Sequence, residues 1–473
     1  MPSSPTYRPR KDMEELADGF FDRVEAASFP TTILRHRNQR WAARVGLGDL
    51  TDGEWIAHFG RFEPLPGTLQ QPLALRYHGH QFRSYNPDLG DGRGFLFAQM
   101  LDGEDHRLLD LGTKGSGKTP WSRAGDGRLT LKGGVREVLA TAMLEALGVD
   151  TSKSFSLIET GESLYRGDEP SPTRSSVLVR LSHSHIRIGS FQRHAFHGDE
   201  GRIWQLLRYA VRHFMPDLEG MGDKALPGAF LQRVVEKVAR VGAQWMAAGF
   251  VHGVLNTDNI NITGESFDYG PYRFLPYLDP GFTAAYFDRE GLYSFGRQLE
   301  TLAWNLDKLG GTLTLISERE PLIEALQHFS PGVDVELRKA YTRRLGVISH
   351  LEGDDDMLRA MNRFLAESRV GYDQFFFDWQ GGEISAGRAD KSPEAGKYSG
   401  RAFGEFRALL APYKAAAPEM LELDYFKTAQ PCSLLIDEIE SIWAAIAERD
   451  DWSLLTAKLA QIEDMRRVLQ IGI

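Results

Sequence analysis

Cysteine is almost missing from this chain of 473 residues: Cys432 stands alone. That excludes an intramolecular disulfide and any thiolate-held metal cluster, and it fits a reducing compartment. A lone thiol in this setting reads as a small core residue, not a nucleophile. No run of about 18 apolar residues occurs, so no membrane-spanning helix and no membrane partner are expected. Positive charge is in deficit: 55 Lys and Arg against 65 Asp and Glu give a net charge of −10, with a pI near 5.8. A nucleic-acid binder normally presents a basic surplus, so that class of partner is not expected either. The N-terminal stretch has no apolar segment after Arg8, Arg10 and Lys11, and Asp12, Glu14 and Glu15 count against a transit peptide. A cytoplasmic location is the expectation.

What is present is ordinary globular material, 42% hydrophobic and 11% aromatic, long enough for one large two-lobed enzyme with extensions. Residues 14–29 read as a short amphipathic helix and 49–59 as another, capped by Thr51 or Asp52. From Leu73 to Ser190 glycine clusters alternate with β-like runs at 95–100, 106–111, 154–159 and 176–181, the texture of a glycine-punctuated sheet. One strong helix interrupts it, with Val135, Val138, Leu139, Ala142, Met143 and Ala146 at helical spacing and Gly148 closing it. Beyond Arg202 the stripes are helical: 203–214, 234–246 and 292–309, with a loop-rich stretch at 249–288. The remainder reads as mainly helical, with an exposed, mobile-looking loop at 387–400. The expected division is an N-terminal extension over 1–72, a sheet-rich lobe over 73–200, a helical lobe over 201–310 and a helical C-terminal region over 311–473. The predicted class is α+β with a bilobal, protein kinase-like layout.

Gly112-Thr113-Lys114-Gly115-Ser116-Gly117-Lys118-Thr119 fits the P-loop pattern G-x-x-x-x-G-K-[ST]. A working P-loop needs a helix to start at the Lys-Thr, because the first-turn N–H groups hold the phosphates. Here Thr119 is followed by Pro120, and Gly125 and Gly127 would break a helix within two turns. The phosphate hypothesis therefore stands apart from the P-loop hypothesis. In the polar loop, His252-Gly253-Val254-Leu255-Asn256-Thr257-Asp258-Asn259 and then Asp268-Tyr269-Gly270 follow the order of the kinase H-x-D-x-x-x-x-N and D-F-G motifs. The catalytic Asp position is Val254, which cannot accept a proton.

Three strings, 111–128 (LGTKGSGKTPWSRAGDGR), 249–259 (GFVHGVLNTDN) and 267–271 (FDYGP), resemble the SelO (selenoprotein O, YdiU) family of kinase-like proteins over residues 75–305. The resemblance implies a kinase-like fold that binds ATP in an inverted orientation and transfers AMP to Ser, Thr or Tyr hydroxyls of protein substrates, with Mg²⁺, or alternatively Mn²⁺, as the divalent metal. It makes Lys114 and Glu137 an ion pair that positions the lysine on phosphate. Gly90, Gly92 and Arg93 match the family's glycine-rich nucleotide loop, and Asp126 and Gly127 a second nucleotide-contacting segment. Arg180 and Arg187 match phosphate-binding arginines, whose planar forks suit phosphate oxygens. Asn259 and Asp268 are the implied metal ligands, with Asp268 also reaching the nucleotide. Asp258 is the implied proton acceptor, while His252 is read as bracing the loop. Many members carry a selenocysteine or cysteine near the C-terminus; residues 466–473 contain neither, and the region after about 310 departs from the family's strings. Two other readings stay open at this stage: a kinase-like phosphotransferase on a small molecule or protein, against which Val254 counts, and a silent ATP-binding pseudokinase scaffold. The oligomeric state is not legible.

Overall fold

Leucine- and valine-rich runs separated by glycine clusters pair into one antiparallel sheet. The computed structural model describes residues 2, 4–167, 169–350 and 353–470. Seven strands lie in the order Phe21–Arg23, Leu73–Leu75, Leu96–Leu101, Leu108–Lys114, Thr173–Ser182, Lys153–Leu164 and Ile33–Arg37. Pro9–Arg10 adds beside Leu96–Leu101, and Leu129–Thr130 beside Thr173–Ser182. Both faces are covered, which is why these strands read as continuous apolar runs and not as alternating ones. One face packs on the Leu131–Ala146 helix through Val135, Val138, Leu157 and Leu178. The other packs on the Asp52–Phe59 helix through Trp55, Phe59, Phe97 and Phe155. Thr51 caps that helix in a capping box with Glu54.

The helix expected over 14–29 does not form. Leu16, Phe20 and Val24 have helical spacing, but Gly19 sits at φ +117°, and the chain beyond it is claimed as the Phe21–Arg23 strand by backbone pairing with Leu73–Leu75. Only a 3₁₀ turn at Asp12–Glu15 remains of the expected helix. The segment 387–400 is not bare loop: it carries short helical turns at Ala386–Ala389 and Ala395–Lys397, and Tyr398 Oη donates to Asp378 at 2.5 Å.

After Arg187 the chain is dominated by helices. Ile188–Phe196, Glu200–Phe214, Leu226–Ala248 and Gln298–Leu313 surround the 249–297 stretch, whose regular pairing is the short Phe250–Val251 and Arg273–Phe274 ladder. The Leu226–Ala248 helix ends at Gly249, left-handed at φ +63°, and delivers the chain into the polar loop. Further helices, Phe329–Arg344, Asp354–Ser368, Tyr372–Asp378 and Gly400–Leu410, share a separate core around Phe364, Phe375, Phe403 and Phe406. The last helices, Ile436–Arg449 and Ser453–Gln470, fold back onto the Leu131–Ala146 helix, with Lys132 Nζ 2.6 Å from Glu440 and with Leu455, Ile462 and Met465 in the shared core. The antiparallel sheet and the many helices make the fold α+β. Among the described residues no helix is long and apolar enough to cross a membrane.

Two predictions belong to this scaffold. Cys432 is 7% exposed, and burial pushes its thiol up to about 12; the thiolate is the reactive form. A thiol reagent at pH 8 is therefore expected to label the native protein far more slowly than the protein in denaturant, and equal rates would show that the core around Cys432 is open. Glu145, on the Leu131–Ala146 helix, is the second case. Burial alone would raise its carboxyl, but Lys153, Arg40 and the Trp41 indole N–H bring it down to about 2. A depressed carboxylate stabilises the fold above its unfolded pKa and loses that contribution as pH falls through the folded one. Glu145→Gln is expected to cost about 2–3 kcal/mol at pH 7, with the deficit closing between about pH 4.5 and 2. Denaturant titrations of both proteins across that range check it; a pH-independent difference would assign the effect to packing.

Candidate active site

The cleft begins with a lysine at a strand end. Leu108–Lys114 pairs with Thr173–Ser182 so that Gly112 faces Arg180 and Lys114 faces Leu178. Lys114 and Arg180 thus lie diagonally on one face of the ladder. Gly112 must lack a side chain, because a Cβ there would lie 2.1 Å from His185 Nε2. Lys114, 5% exposed, is held between two carboxylates, Glu137 from the Leu131–Ala146 helix and Asp268 Oδ1 at 2.7 Å. Arg180 Nη1 reaches the same Asp268 oxygen at 3.2 Å.

Asp268 is a convergence point. Burial would raise its carboxyl, yet Lys114, Arg180, Arg93 and Arg187 hold it well below the ordinary carboxylate range. Its backbone is left-handed at φ +65°, a conformation that costs a side-chain-bearing residue about 1–2 kcal/mol and that concentrates at functional sites. His252, fully buried, braces this segment through a ring nitrogen 3.0 Å from the Phe267 carbonyl.

Arg187 caps the Ile188–Phe196 helix and pairs with Asn261 through an isolated bridge. Its guanidinium donates to Asp91 Oδ1 at 3.2 Å and to the Asp258 carbonyl at 3.0 Å, and it lies over the rings of Tyr77 and Phe267. Asp258 is 8% exposed, and its Oδ1 has no hydrogen-bond partner. Burial raises its carboxyl to about 6 against the pull of Arg187. The neighbouring Asn259 donates from Nδ2 to the Val254 carbonyl at 2.9 Å, which leaves its buried Oδ1 without a partner.

These groups open on a polar cavity of about 590 Å³, within the range of a nucleotide-sized ligand. Its walls bring together Gly90, Gly92, Arg93, Asp126, Gly127, Asp258 and Asp268, with Trp121, Arg123, Arg128 and Arg166. Glu137, Lys114, Arg180 and Arg187 stand behind that wall through the contacts above. Gly90 gives way to Trp121, whose ring a Cβ would approach to 2.4 Å, and Gly127, at φ +71°, would meet the Gly117 carbonyl at 2.2 Å. Asp126 pairs with Arg166 at 2.8 Å, and after burial, which opposes it, that arginine accounts for its lowered pKa.

No helix starts at the nominal P-loop. Lys118 is exposed, and Thr119 Oγ1 donates to the Asp91 carbonyl at 2.6 Å while Ser122 Oγ donates to that of Gly92 at 2.5 Å. The octet therefore ties down the 90–94 loop. Several residues here escaped sequence reasoning. Asp91 lies inside the glycine cluster, where an aspartate is ordinary turn chemistry and does not announce the carboxylate that Arg187 needs. Trp121, Arg123 and Arg128 sit in a quoted string whose aromatic and basic content was the available signal. Tyr77 and Arg166 carried none.

Among the described residues no group of three or more His, Cys, Asp or Glu side chains could hold a metal ion. Two groups nonetheless suit a hard cation: the Asp268 carboxylate, which lines the cavity, and the unpartnered Oδ1 of Asn259, the residue after cavity-lining Asp258. Such a set fits Mg²⁺, which keeps waters and phosphate oxygens alongside one or two protein ligands.

A family profile described as protein adenylyltransferase SelO matches residues 4–463. A protein of Synechocystis sp. named protein nucleotidyltransferase YdiU is 45% identical over 471 residues, covering 94% of this chain and 95% of the relative. A protein of the same name from Trichodesmium erythraeum is 43% identical over 482 residues, 97% and 98% of the two chains, and one from Vibrio vulnificus 35% over 350 residues, 72% and 69%. The match thus runs far past residues 75–305, and the region after about 310, read from its strings as a departure, is family sequence. The chain belongs to the SelO family of protein adenylyltransferases, enzymes of the nucleotidyltransferase class.

Proposed function

We propose that the protein transfers AMP from ATP to Ser, Thr or Tyr hydroxyls of other proteins and releases pyrophosphate. The observation that carries the reading is Asp258, which lines the same polar cavity as Asp268 and whose buried Oδ1 has no hydrogen-bond partner. Asp258 takes the proton of the acceptor hydroxyl, whose oxygen attacks the α-phosphorus as the bond to the bridging oxygen of the β-phosphate breaks. Lys114, set by Glu137, neutralises phosphate charge together with Arg180 and Arg187; preorganised cations of this kind act where transition-state charge accumulates. Arg93, Asp126, Gly90, Gly92 and Gly127 seat the nucleotide, in the inverted orientation that family membership suggests. Asn259 and Asp268 would hold Mg²⁺ or Mn²⁺, which supplies Lewis-acid neutralisation of the phosphates when bound. The walls of the cavity come from the sheet-bearing part (90–127) and the helical part (258–268), which supports a bilobal, kinase-like division at about residue 200, with 1–72 and 311–473 as extensions.

The test is incubation with Mg²⁺ and ATP labelled at the α- or the γ-phosphate, with a cell extract as acceptor. Protein-bound α-label is expected. γ-Label alone would replace the reading with phosphotransfer, and nucleotide binding without transfer would make the protein a scaffold.

A further inference from the structure

Three aromatic side chains that AMP transfer leaves unused stand together in solvent. Tyr286 is 82% exposed, Phe287 47% and Phe82 39%. Their rings form a chain, with centroids 5.1 Å apart from Tyr286 to Phe287 and 5.8 Å from Phe287 to Phe82. Scattered exposed apolar residues are ordinary, but a contiguous aromatic patch marks an interaction site.

The patch is joined to the base. Phe82 occupies the tip of the hairpin formed by Gly79–Gln81 and Ser84–Asn86. Phe82 and Arg83 are both left-handed, at φ 49° and 63°, where such tips normally use Asn-Gly. The Phe82 N–H donates to Asn256 Oδ1 and to Tyr293 Oη, each at 3.1 Å, and the His80 N–H to Thr257 Oγ1 at 2.7 Å. Asn256 and Thr257 directly precede Asp258. A Cβ on Gly79 would come within 2.9 Å of Asp258 Oδ1, and Gln81 lines the cavity itself. Consecutive residues of the hairpin, Gln81 and Phe82, therefore belong to the cavity wall and to the aromatic patch.

We propose that Tyr286, Phe287 and Phe82 form the docking surface for the acceptor protein: an extended segment presents its hydroxyl to Asp258 while a large apolar side chain nearby in that segment packs on the three rings. The inference rests on the AMP-transfer reading. Continuity with Asp258 selects this occupant, because a chain that delivers a hydroxyl there passes the hairpin tip. Charge around the patch is mixed: Arg83 pairs with Glu300 at 3.1 Å, and exposed Arg289 and Glu290 adjoin each other. No field of one sign is present to select an acidic or basic motif, so recognition is apolar.

The experiment uses the full chain, α-labelled ATP and a peptide library with one fixed Ser, Thr or Tyr and every flanking position scanned. Wild type is expected to favour aromatic or large aliphatic residues at a defined flanking position. The Tyr286→Ala/Phe287→Ala double variant is expected to lose that preference and to show a KM for the preferred peptide raised about tenfold or more, with its KM for ATP and its thermal unfolding unchanged. Transfer without apolar selection, or selection retained by the variant, would overturn the docking surface alone. A wild-type dimer dispersed by the double substitution would put a second copy on the patch and overturn it too. No α-label in any acceptor would instead overturn AMP transfer, and the docking surface with it.

Discussion

Asp258→Asn is expected to slow AMP transfer by about 10²–10⁴, the contribution of a well-placed general base, while the affinity for ATP stays close to that of wild type. The amide has the shape of the carboxyl but cannot accept the hydroxyl proton. Neither the fold nor the arginine clamp depends on the lost charge: Arg187 donates to the Asp258 backbone carbonyl and to Asp91, not to the Asp258 side chain. The carboxylate oxygen it replaces is buried without a partner, so the variant should be at least as stable as wild type, the usual trade between a strained functional group and stability. Single-turnover transfer with α-labelled ATP and a melting curve check both halves. Undiminished transfer would remove Asp258 from the chemistry.

The second large effect is at Asp268. Asp268→Asn is expected to lower transfer by about 10³ or more, because with Asp268 as the proposed metal ligand several kcal/mol of phosphate-charge stabilisation would be lost with its charge. Asn is a better choice than Ala, since it tolerates the left-handed backbone at φ +65°. The fold should survive, as Lys114 keeps Glu137 when Asp268 loses its charge. A readout independent of turnover is available: Mg²⁺ should raise the melting temperature of the ATP-bound wild type above that with ATP alone, and this increment should vanish in the variant. Full activity in Asp268→Asn would show that the metal assignment is wrong.

Much of the scaffold was legible because its signals are local. The Leu131–Ala146 helix, the Thr51 cap and the runs that became Leu96–Leu101, Leu108–Lys114, Lys153–Leu164 and Thr173–Ser182 announce themselves through spacing and turn residues. The failure at 14–29 has a physical origin. Helical spacing there is only a weak prior, and the free strand edge at Leu73–Leu75 offers backbone hydrogen bonds that no short helix interrupted by Gly19 can match. The return of Ile436–Arg449 and Ser453–Gln470 onto the helix that carries Glu137 was equally invisible, since an apolar helical stripe does not say which face it will cover.

By itself, then, the sequence determined the alternation of glycine-broken strands and amphipathic helices, the identity of the polar loop from His252 to Asp268, and the implausibility of a P-loop helix after Thr119. Tertiary structure alone decided the company each charge keeps. Asp268 meets Lys114 and Arg180, Asp91 meets Arg187, and Asp258 is left buried with an unpartnered oxygen beside the 79–86 hairpin. Spacing along a chain fixes which face a side chain takes on its own element. The free energy of a charge depends on the groups and the solvent within a few ångströms of it, and here those neighbours come from segments far apart in the chain that only the packed fold brings together.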